Sequence, residues 1–380
     1  MDIICFSHLR WNFVYQRPQH LLSRFAKQYR VFFIEEPIFD ADKAHLDTTL
    51  SDENVWIVVP HLPPGLPHEE VIDQQQKILN KFFDYFSTNR YICWYYTPMG
   101  LEISDSLINP ELVVYDCMDE LSAFKNAPPA LKQREEELMK KADLVFTGGH
   151  SLFEAKKHLH RAIYPFPSSI DKKHFNKARH IKEDPADQRN IPHPRVGFFG
   201  VVDERFDIDL LDNMARQRPD LHFVIIGPVV KIDPATLPVH PNIHYLGGKQ
   251  YAELPAYMAG WDVAMIPFAA NESTRFISPT KTPEYLAGGL PVVSTSIRDV
   301  INPYGEKGLV YIADKPEEYL AGIAWCMNIR TDKSWQDKTT EHLADLSWDN
   351  TYEKMLSLIN NQLESKSVQY KPEKKENEYV

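Results

Sequence analysis

The sequence predicts an α/β protein with two doubly wound parallel-sheet (Rossmann-like) domains that face each other across a cleft. Short β-branched apolar runs alternate with helical runs along the chain, as in parallel sheets. A polar, proline-punctuated segment near 171–194 divides them into two series. The 380 residues, 43% of them hydrophobic, suffice for two cores. The predicted parts are an N-terminal domain (1–172), a linker (173–194), a C-terminal domain (195–348), a helix (349–365) and a disordered, charged tail (366–380).

The first series supplies seven predicted strands and four predicted helices. The strands are expected at 2–7, 30–36, 55–60, 91–97, 112–118, 143–148 and 162–167. The helices are expected at 17–28, 68–86, 128–142 and 151–159.

The second series repeats the alternation after the polar segment. Its strands are expected at 195–202, 222–229, 243–248, 262–268, 291–296 and 308–314. Its helices are expected at 207–218, 251–260, 283–288 and 315–328.

Composition excludes several classes of function. A net charge of −11 argues against a general nucleic-acid binder. The chain has no run of about 18 apolar residues, and its start reads as a first strand and not as a signal peptide, so a cytoplasmic protein is expected. Neither G-x-G-x-x-G nor G-x-x-x-x-G-K-[ST] occurs, which argues against dinucleotide and P-loop sites. The four cysteines and the scattered histidines have no metal-ligand spacing, so no metal is expected.

The segment 278–295, SPTKTPEYLAGGLPVVST, is the most informative stretch of the chain. Thr282 is expected to cap a short helix with Pro283 in its first turn, and Gly288 and Gly289 to end it before a buried strand. The start of such a helix presents free N–H groups to a phosphate. Glu284 can then accept hydrogen bonds from a ribose, although an acid near a helix N-terminus is also explained by the helix dipole alone.

This segment resembles the nucleotide-sugar signature of GT-B glycosyltransferases, in particular the large retaining group that includes bacterial envelope-polysaccharide and teichuronic-acid-type transferases. The signature reads as a Glu, a short helix and Gly-x-Pro-Val-Val. The resemblance implies that Glu284 holds the donor ribose and that the co-substrate is a UDP- or GDP-type sugar with no separate cofactor. Phe276 stands where the family often carries a second Glu.

The resemblance also implies cations at the diphosphate of the donor, since protein cations must stabilise a leaving diphosphate when no metal does. Arg205 follows the first strand of the second domain, and Lys281 lies beside the short helix. An exposed Arg205 paired with a neighbouring acid is the alternative. The remaining expected donor-binding residues are Ser278, Thr280, Thr282, Gly200 and Gly227.

Polar side chains are also concentrated at the ends of strands in the first domain, where loops bind ligands. Two carboxylates follow the fifth strand, Asp116 and Asp119, and either can activate an acceptor hydroxyl or cap a turn. Asp119 is preferred because it lies farther beyond the strand. The expected acceptor and cleft residues are His8, Arg10, Trp11, Arg17, His20, Tyr96 and His150.

These expectations describe a metal-independent glycosyltransferase that moves a sugar from a nucleotide-diphosphate sugar to a hydroxyl of a glycan or lipid-linked glycan. The resemblance allows peripheral contact of surface helices with lipid at the inner face of the membrane. Two alternatives remain open: a nucleotide-sugar 2-epimerase of the same fold, and a non-catalytic module that binds nucleotide sugars.

Overall fold

The computed structural model describes residues 1–107 and 109–369, which form two sheets. The first sheet follows from the apolar runs of the N-terminal half, which are buried on both faces. Its strands are β1 (Asp2–Phe6), β2 (Arg30–Ile34), β3 (His45–Leu50), β4 (Val55–His61), β5 (Tyr91–Tyr95), β6 (Leu112–Cys117), β7 (Leu144–Thr147) and β8 (Ile163–Pro165). They are ordered β3-β4-β2-β1-β5-β6-β7-β8, and β3 is antiparallel to β4.

The strand β3 is the element of this sheet that the sequence analysis missed. Its residues, HLDTTL, are almost all exposed, and β3 lies at the edge of the sheet. A strand that buries neither face has no apolar alternation to reveal it. The hairpin that it forms with β4 turns through Ser51 to Asn54, with Asn54 at a φ of 61°.

The helices of the first domain cover this sheet. The predicted helices are all present, with starts and ends shifted by a few residues, and α3 is additional. They are α1 (Arg17–Phe25), α2 (His68–Tyr85), α3 (Gly100–Ser104), α4 (Leu131–Lys141) and α5 (His150–Lys156).

The second sheet repeats the design in the C-terminal half. Its six strands are the six predicted from the sequence, shortened at their ends. They are β9 (Arg195–Phe199), β10 (His222–Ile226), β11 (Ile243–Tyr245), β12 (Val263–Ile266), β13 (Val292–Ser294) and β14 (Val310–Ile312). The order β11-β10-β9-β12-β13-β14 is parallel throughout.

The remaining helices accompany this sheet or follow it, and the sequence analysis missed α6, α10 and α12. The helices are α6 (Lys172–Phe175), α7 (Ile208–Gln217), α8 (Leu254–Ala259), α9 (Lys281–Ala287), α10 (Arg298–Val300), α11 (Pro316–Ile329), α12 (Lys333–His342) and α13 (Trp348–Gln369). Within the described ranges, no helix has both the length and the apolar character needed to cross a bilayer.

The segment 173–194, expected to be a linker, is packed against the second domain. Phe175 and Ile191 are buried in the core of that domain. Gln188 is fully buried, donates to the Tyr257 carbonyl at 3.0 Å and accepts from Trp261 Nε1 at 2.9 Å. The buried residues are too few and too irregularly spaced to give a periodic pattern, so the segment reads as polar in sequence.

Helix α13 returns to the first domain after the second is complete. Trp348, Met355 and Ile359 are buried in the core of the first sheet, and Arg24 bonds Asp349 at 2.7 Å. The helix continues to Gln369, so the expected start of the tail at residue 366 is wrong. The rest of the expected tail, 370–380, lies outside the described residues.

Both sheets reverse their winding at a central strand. β1 has β2 and β5 as neighbours, and β9 has β10 and β12. The loops after β1 and β9 therefore leave the sheets at switch points, where ligands of doubly wound folds bind.

Candidate functional site

A cleft of about 700 Å³ lies between the carboxyl ends of the two sheets. Its first wall consists of the loop 11–16 after β1, the hairpin turn 49–53 and Ile57 of β4. The opposite wall is built by the second domain from Phe199, Gly200, Val201, Arg205, Ile226, Gly227, Pro228, Gly248, Lys249, Gln250, Tyr251, Leu254, Thr280, Lys281 and Glu284. A space of this size accommodates a drug-sized ligand.

Helix α9 places Glu284 in the cleft wall. The helix begins at Lys281 after Thr280, so the predicted cap at Thr282 is wrong. Thr282 lies inside the helix, where its Oγ1 is buried and has no hydrogen-bond partner among the described residues. The helix ends at Gly288 and Gly289, the latter at a φ of 82° that favours glycine.

Glu284 is only 4% exposed, although it lines the cleft. Burial raises the pKa of this carboxyl, and the nearby Lys281 ammonium and Thr280 side chain oppose that shift. A buried carboxylate beside a cation, in a wall that a ligand can reach, is poised to accept hydrogen bonds from hydroxyl groups.

Lys281 lies against Gly200, and Gly227 lies behind Gly200, which explains why glycine occupies both positions. A Cβ atom at Gly200 would lie 2.7 Å from Lys281 Nζ, and one at Gly227 would lie 1.8 Å from the Gly200 carbonyl oxygen. Both glycines have positive φ, at 142° and 146°. The ammonium lies 5.6 Å from the ring centroids of Phe198 and of Phe268. Burial and the neighbouring Arg205 charge lower the pKa of Lys281.

Arg205 lies in the same wall and is paired with Asp203. Its Nε lies 2.9 Å from Asp203 Oδ1 and its Nη2 lies 2.7 Å from Oδ2. Asp203 is buried, so the pair fixes the guanidinium at the cleft surface. Nη1 makes no hydrogen bond with the described residues and can donate to a ligand.

Asp119, in the loop after β6, is near enough to Arg205, Arg17 and Lys281 to be influenced by their charges, although it is not one of the residues that line the 700 Å³ cleft. Burial raises its pKa to about 6, and the charges of Arg205, Arg17 and Lys281 oppose the shift. Within 1–107 and 109–369, no residue hydrogen-bonds the Asp119 carboxylate. Asp119 is therefore a carboxylate without a hydrogen-bond partner among the described residues, within the electrostatic influence of Arg205 and Lys281.

Asp116 was expected to be catalytic and Arg17 to line the cleft, but the two form a buried ion pair. Arg17 Nε lies 3.0 Å and Nη2 2.8 Å from Asp116 Oδ1, and Nη1 donates to the Phe166 carbonyl at 2.7 Å. Asp116 is fully buried and Arg17 is 3% exposed. Both side chains are committed to each other, so they tie α1 to β6, and neither lines the cleft.

Tyr96 and His20 are also packed inside the molecule, not exposed in the cleft. Tyr96 is 1% exposed, and burial raises the pKa of its hydroxyl, next to Asp116. The His20 ring stacks on Trp348 with centroids 4.7 Å apart and meets the edge of Tyr251 at 5.5 Å. Burial lowers the pKa of His20 well below its ordinary value, so the ring is neutral and packs as an aromatic group between the domains.

The other residues of the β1 loop divide between packing and the cleft. Trp11 lines the cleft but buries its ring against Phe33. Arg10 bonds Glu35 Oε2 at 2.9 Å and lies outside the cleft lining. His8 is half-buried at the end of β1, its Nδ1 lacks a partner among the described residues, and burial lowers its pKa to about 4.

Ser278 and His150 lie where the two domains touch, outside the cleft lining. The Ser278 carbonyl accepts from Ser168 Oγ at 2.6 Å. His150 is exposed at the start of α5, and the next residue, Ser151, donates its N–H to Asp299 Oδ1 at 2.9 Å. Neither expected ligand residue is oriented into the 700 Å³ space.

Two parts of the site, the turn 49–53 and Phe124, were not predicted from the sequence. The turn 49–53 lines the cleft because of a hairpin that has no apolar signature. Phe124, in the loop after β6, lies under Arg205 with 5.4 Å between Cζ and the ring centroid. No signal in the sequence places the turn in the cleft or Phe124 against Arg205, because both positions depend on how the domains face each other.

Comparison with known proteins finds glycosyltransferases as relatives of the second domain and of a larger part of the chain. Residues 193–328 match the family model described as "Glycosyl transferases group 1". The putative teichuronic acid biosynthesis glycosyltransferase TuaH of Bacillus subtilis (strain 168) is 23% identical over 266 residues, which cover 64% of this chain and 66% of that protein, just under two thirds of its length.

Solved structures match over nearly the whole chain and establish the GT-B fold. Sucrose-phosphate synthase from Thermosynechococcus elongatus superposes with a TM-score of 0.70 at 14% identity, covering 96% of this chain and 99% of that one. Anabaena HepE in complex with UDP-glucose superposes with a TM-score of 0.66 at 14% identity, covering 95% and 100%.

Proposed function

We propose that this GT-B chain, whose second domain carries a glycosyltransferase group 1 match, transfers a sugar from a nucleotide-diphosphate sugar to a hydroxyl acceptor. The single observation that carries the proposal is the grouping of Glu284, Lys281 and Arg205 in one wall of the cleft, beside the close approach of Gly200 and Gly227.

Each member of this group has a part suited to such a donor. Glu284 accepts hydrogen bonds from the ribose hydroxyls, since a carboxylate is an acceptor for several donors at once. Lys281 and Arg205 Nη1 meet the diphosphate. The glycines allow the loops after β9 and β10 to pack closely beside Lys281 in this wall.

The reaction follows from where charge develops. The bond between the sugar C1 and the diphosphate oxygen breaks, and both electrons pass to that oxygen. The acceptor oxygen forms the new bond to C1 and releases its proton to the leaving diphosphate or to Asp119. Cations that are fixed before the reaction stabilise the diphosphate most in the transition state, which raises kcat.

The stereochemistry, the acceptor and the biological role are also proposed. Retention of the anomeric configuration, with front-side displacement, is supported by the resemblance of 278–295 alone. A role in cell-envelope or extracellular polysaccharide is supported by that resemblance and by the TuaH relative. The proposed acceptor is a glycan or lipid-linked glycan, reached at the inner face of the membrane. The anomer of the product, read by NMR, tests retention.

Calorimetric titration of the protein with UDP-, GDP- and ADP-sugars tests the donor assignment. One class of nucleotide sugar is expected to bind and to be hydrolysed slowly when no acceptor is present. The rate of this hydrolysis should be the same with and without EDTA, because the protein supplies the cations. Conversion of the donor to its 2-epimer would identify the alternative enzyme, and binding without any turnover would identify a binding module. If no nucleotide sugar binds, the proposed function is wrong.

Asp119→Asn is expected to lower the transfer rate by about 100-fold at neutral pH, because the neutral amide can neither take a proton nor offset the nearby cations. In the unsubstituted protein, kcat/KM should rise as the pH passes through about 6, where the Asp119 carboxyl ionises, and this limb should vanish in the variant.

The same substitution has a predictable sign for stability. Burial raises the folded-state pKa above the unfolded value of about 3.9, so ionised Asp119 disfavours folding increasingly as the pH rises from about 4 to about 6. Asp119→Asn should therefore melt no lower than the unsubstituted protein at pH 7.5. Asp116→Asn is the matched control: leaving Arg17 buried and unpaired should cost about 3 kcal/mol of unfolding free energy. The reverse pattern would show that Asp119, and not Asp116, is held in a structural ion pair.

A further inference from the structure

The loop after β6 crosses to the second domain and touches it beside the cleft. The ring of Phe124 lies 5.4 Å from Arg205 Cζ and 5.0 Å from Lys231 Nζ, measured to its centroid. The backbone N–H of Lys125 donates to Glu204 Oε1 at 3.3 Å. One aromatic side chain of the first domain thus meets two cations of the second.

Arg205 needs support at this point. Asp203 holds Nε and Nη2, which leaves Nη1 as the group directed at a ligand. The pair with buried Asp203 fixes the position of the guanidinium but leaves it free to tilt out of the plane of the carboxylate. An aromatic face against the cation resists that motion, because a guanidinium is attracted to the ring quadrupole.

We propose that Phe124 is a positioning residue: its ring holds Arg205 and Lys231 when the cleft is closed, so that the cation set at the leaving diphosphate is complete only when the two domains are together. This inference rests on the proposed function of the cleft. It adds that a side chain of the acceptor-side domain controls the reactivity of the donor side.

Phe124 can act only when the domains are together, because it and the two cations lie on different domains. Phe124 belongs to the first domain, while Arg205 and Lys231 belong to loops that follow β9 and β10 of the second. Separation of the domains removes both cation–π contacts at once. A donor bound to the second domain alone then meets an Arg205 that only Asp203 restrains, which protects the donor from hydrolysis before closure.

Phe124→Leu tests the proposal in the full chain, with hydrolysis and transfer of the tightest-binding nucleotide sugar as readouts. We expect kcat to fall about tenfold, with a donor KM within about twofold of the unsubstituted value, because the lost contact orients a group that acts in the transition state. Phe124→Tyr retains the aromatic face and should restore kcat to within about twofold. Phe39→Leu, at an exposed phenylalanine of the same domain, is the control for a general effect.

A double-mutant cycle with Arg205→Gln separates positioning from a structural role. If Phe124 acts through Arg205, adding Phe124→Leu to Arg205→Gln should change kcat by less than about twofold. Independent, multiplicative effects would overturn the inference, as would unchanged kcat in Phe124→Leu. Should Phe124→Leu melt well below the Phe39 control, Phe124→Met replaces it in the cycle. Absence of turnover in the unsubstituted protein would instead refute the proposed function.

Discussion

Replacing Glu284 with alanine is expected to lower kcat/KM for the nucleotide sugar by about 100-fold or more, equivalent to about 3 kcal/mol of lost transition-state stabilisation. The reason is that Glu284 is a buried carboxylate at a ligand cleft, and each hydrogen bond from a hydroxyl to a charged acceptor contributes more than one between neutral groups. Glu284→Gln retains one carbonyl oxygen, so its kcat/KM should lie between that of Glu284→Ala and that of the unsubstituted protein.

The binding of deoxy nucleotides tests the role of Glu284 most directly. The unsubstituted protein should bind the ribonucleoside diphosphate more tightly than the 2′- or 3′-deoxy form, as measured by calorimetry. In Glu284→Ala that preference should disappear, because the partner of the hydroxyl is gone. Glu318→Gln, at an exposed position on α11, is the control. A preference that survives in Glu284→Ala would mean that another group holds the ribose.

Lys281→Met is expected to lower kcat by about 100- to 1,000-fold, the range measured when one pre-positioned electrostatic group is removed from an active site. Methionine fills nearly the same volume between Gly200 and the rings of Phe198 and Phe268, but it carries no charge. The donor KM should change much less than kcat, since the charge that Lys281 meets is greatest in the transition state.

Two measurements check this second prediction. Steady-state kinetics gives kcat and KM separately, and thermal unfolding shows whether the variant is folded. Because burial already lowers the pKa of Lys281, removing its charge should not lower the melting temperature greatly. Lys333→Met, on the exposed face of α12, is the matched control. A kcat within about threefold of the unsubstituted value would exclude Lys281 from the diphosphate site.

The sheets were predictable because their strands are buried. In β1, β9 and β12 every residue is buried, so β12 appears in the sequence as an apolar run, as do β1 and β9 after a charged first residue. The exposed strand β3 and the polar helix α12 bury too little to leave such a pattern, and both were missed. The end of α13 shows the same limit, since its last turns are mostly exposed.

The candidate site was predictable only where its residues are close in sequence. Glu284, Lys281 and Thr280 fall within one short helix and its approach, and the two glycines directly follow strands. The sequence favoured Asp119 over Asp116, three positions away, only because Asp119 lies farther beyond the strand, and it left both as candidates. The structure separates them, because Arg17, 99 residues away, takes up Asp116 and leaves Asp119 within the electrostatic influence of the cations.

By itself, then, the sequence determined two α/β sheets and a short helix, predicted at 283–288 and found at Lys281–Ala287, since burial period and helix-ending glycines are local properties. The tertiary structure alone decided which polar groups are used up in pairs and which remain free. Arg17 and His20 are packed inside, whereas Asp119 and Arg205 Nη1 lack hydrogen-bond partners among the described residues. The physical reason is that an ion pair or a stacked ring depends on distances between elements far apart in the chain, and these exist only once both domains are folded and face each other.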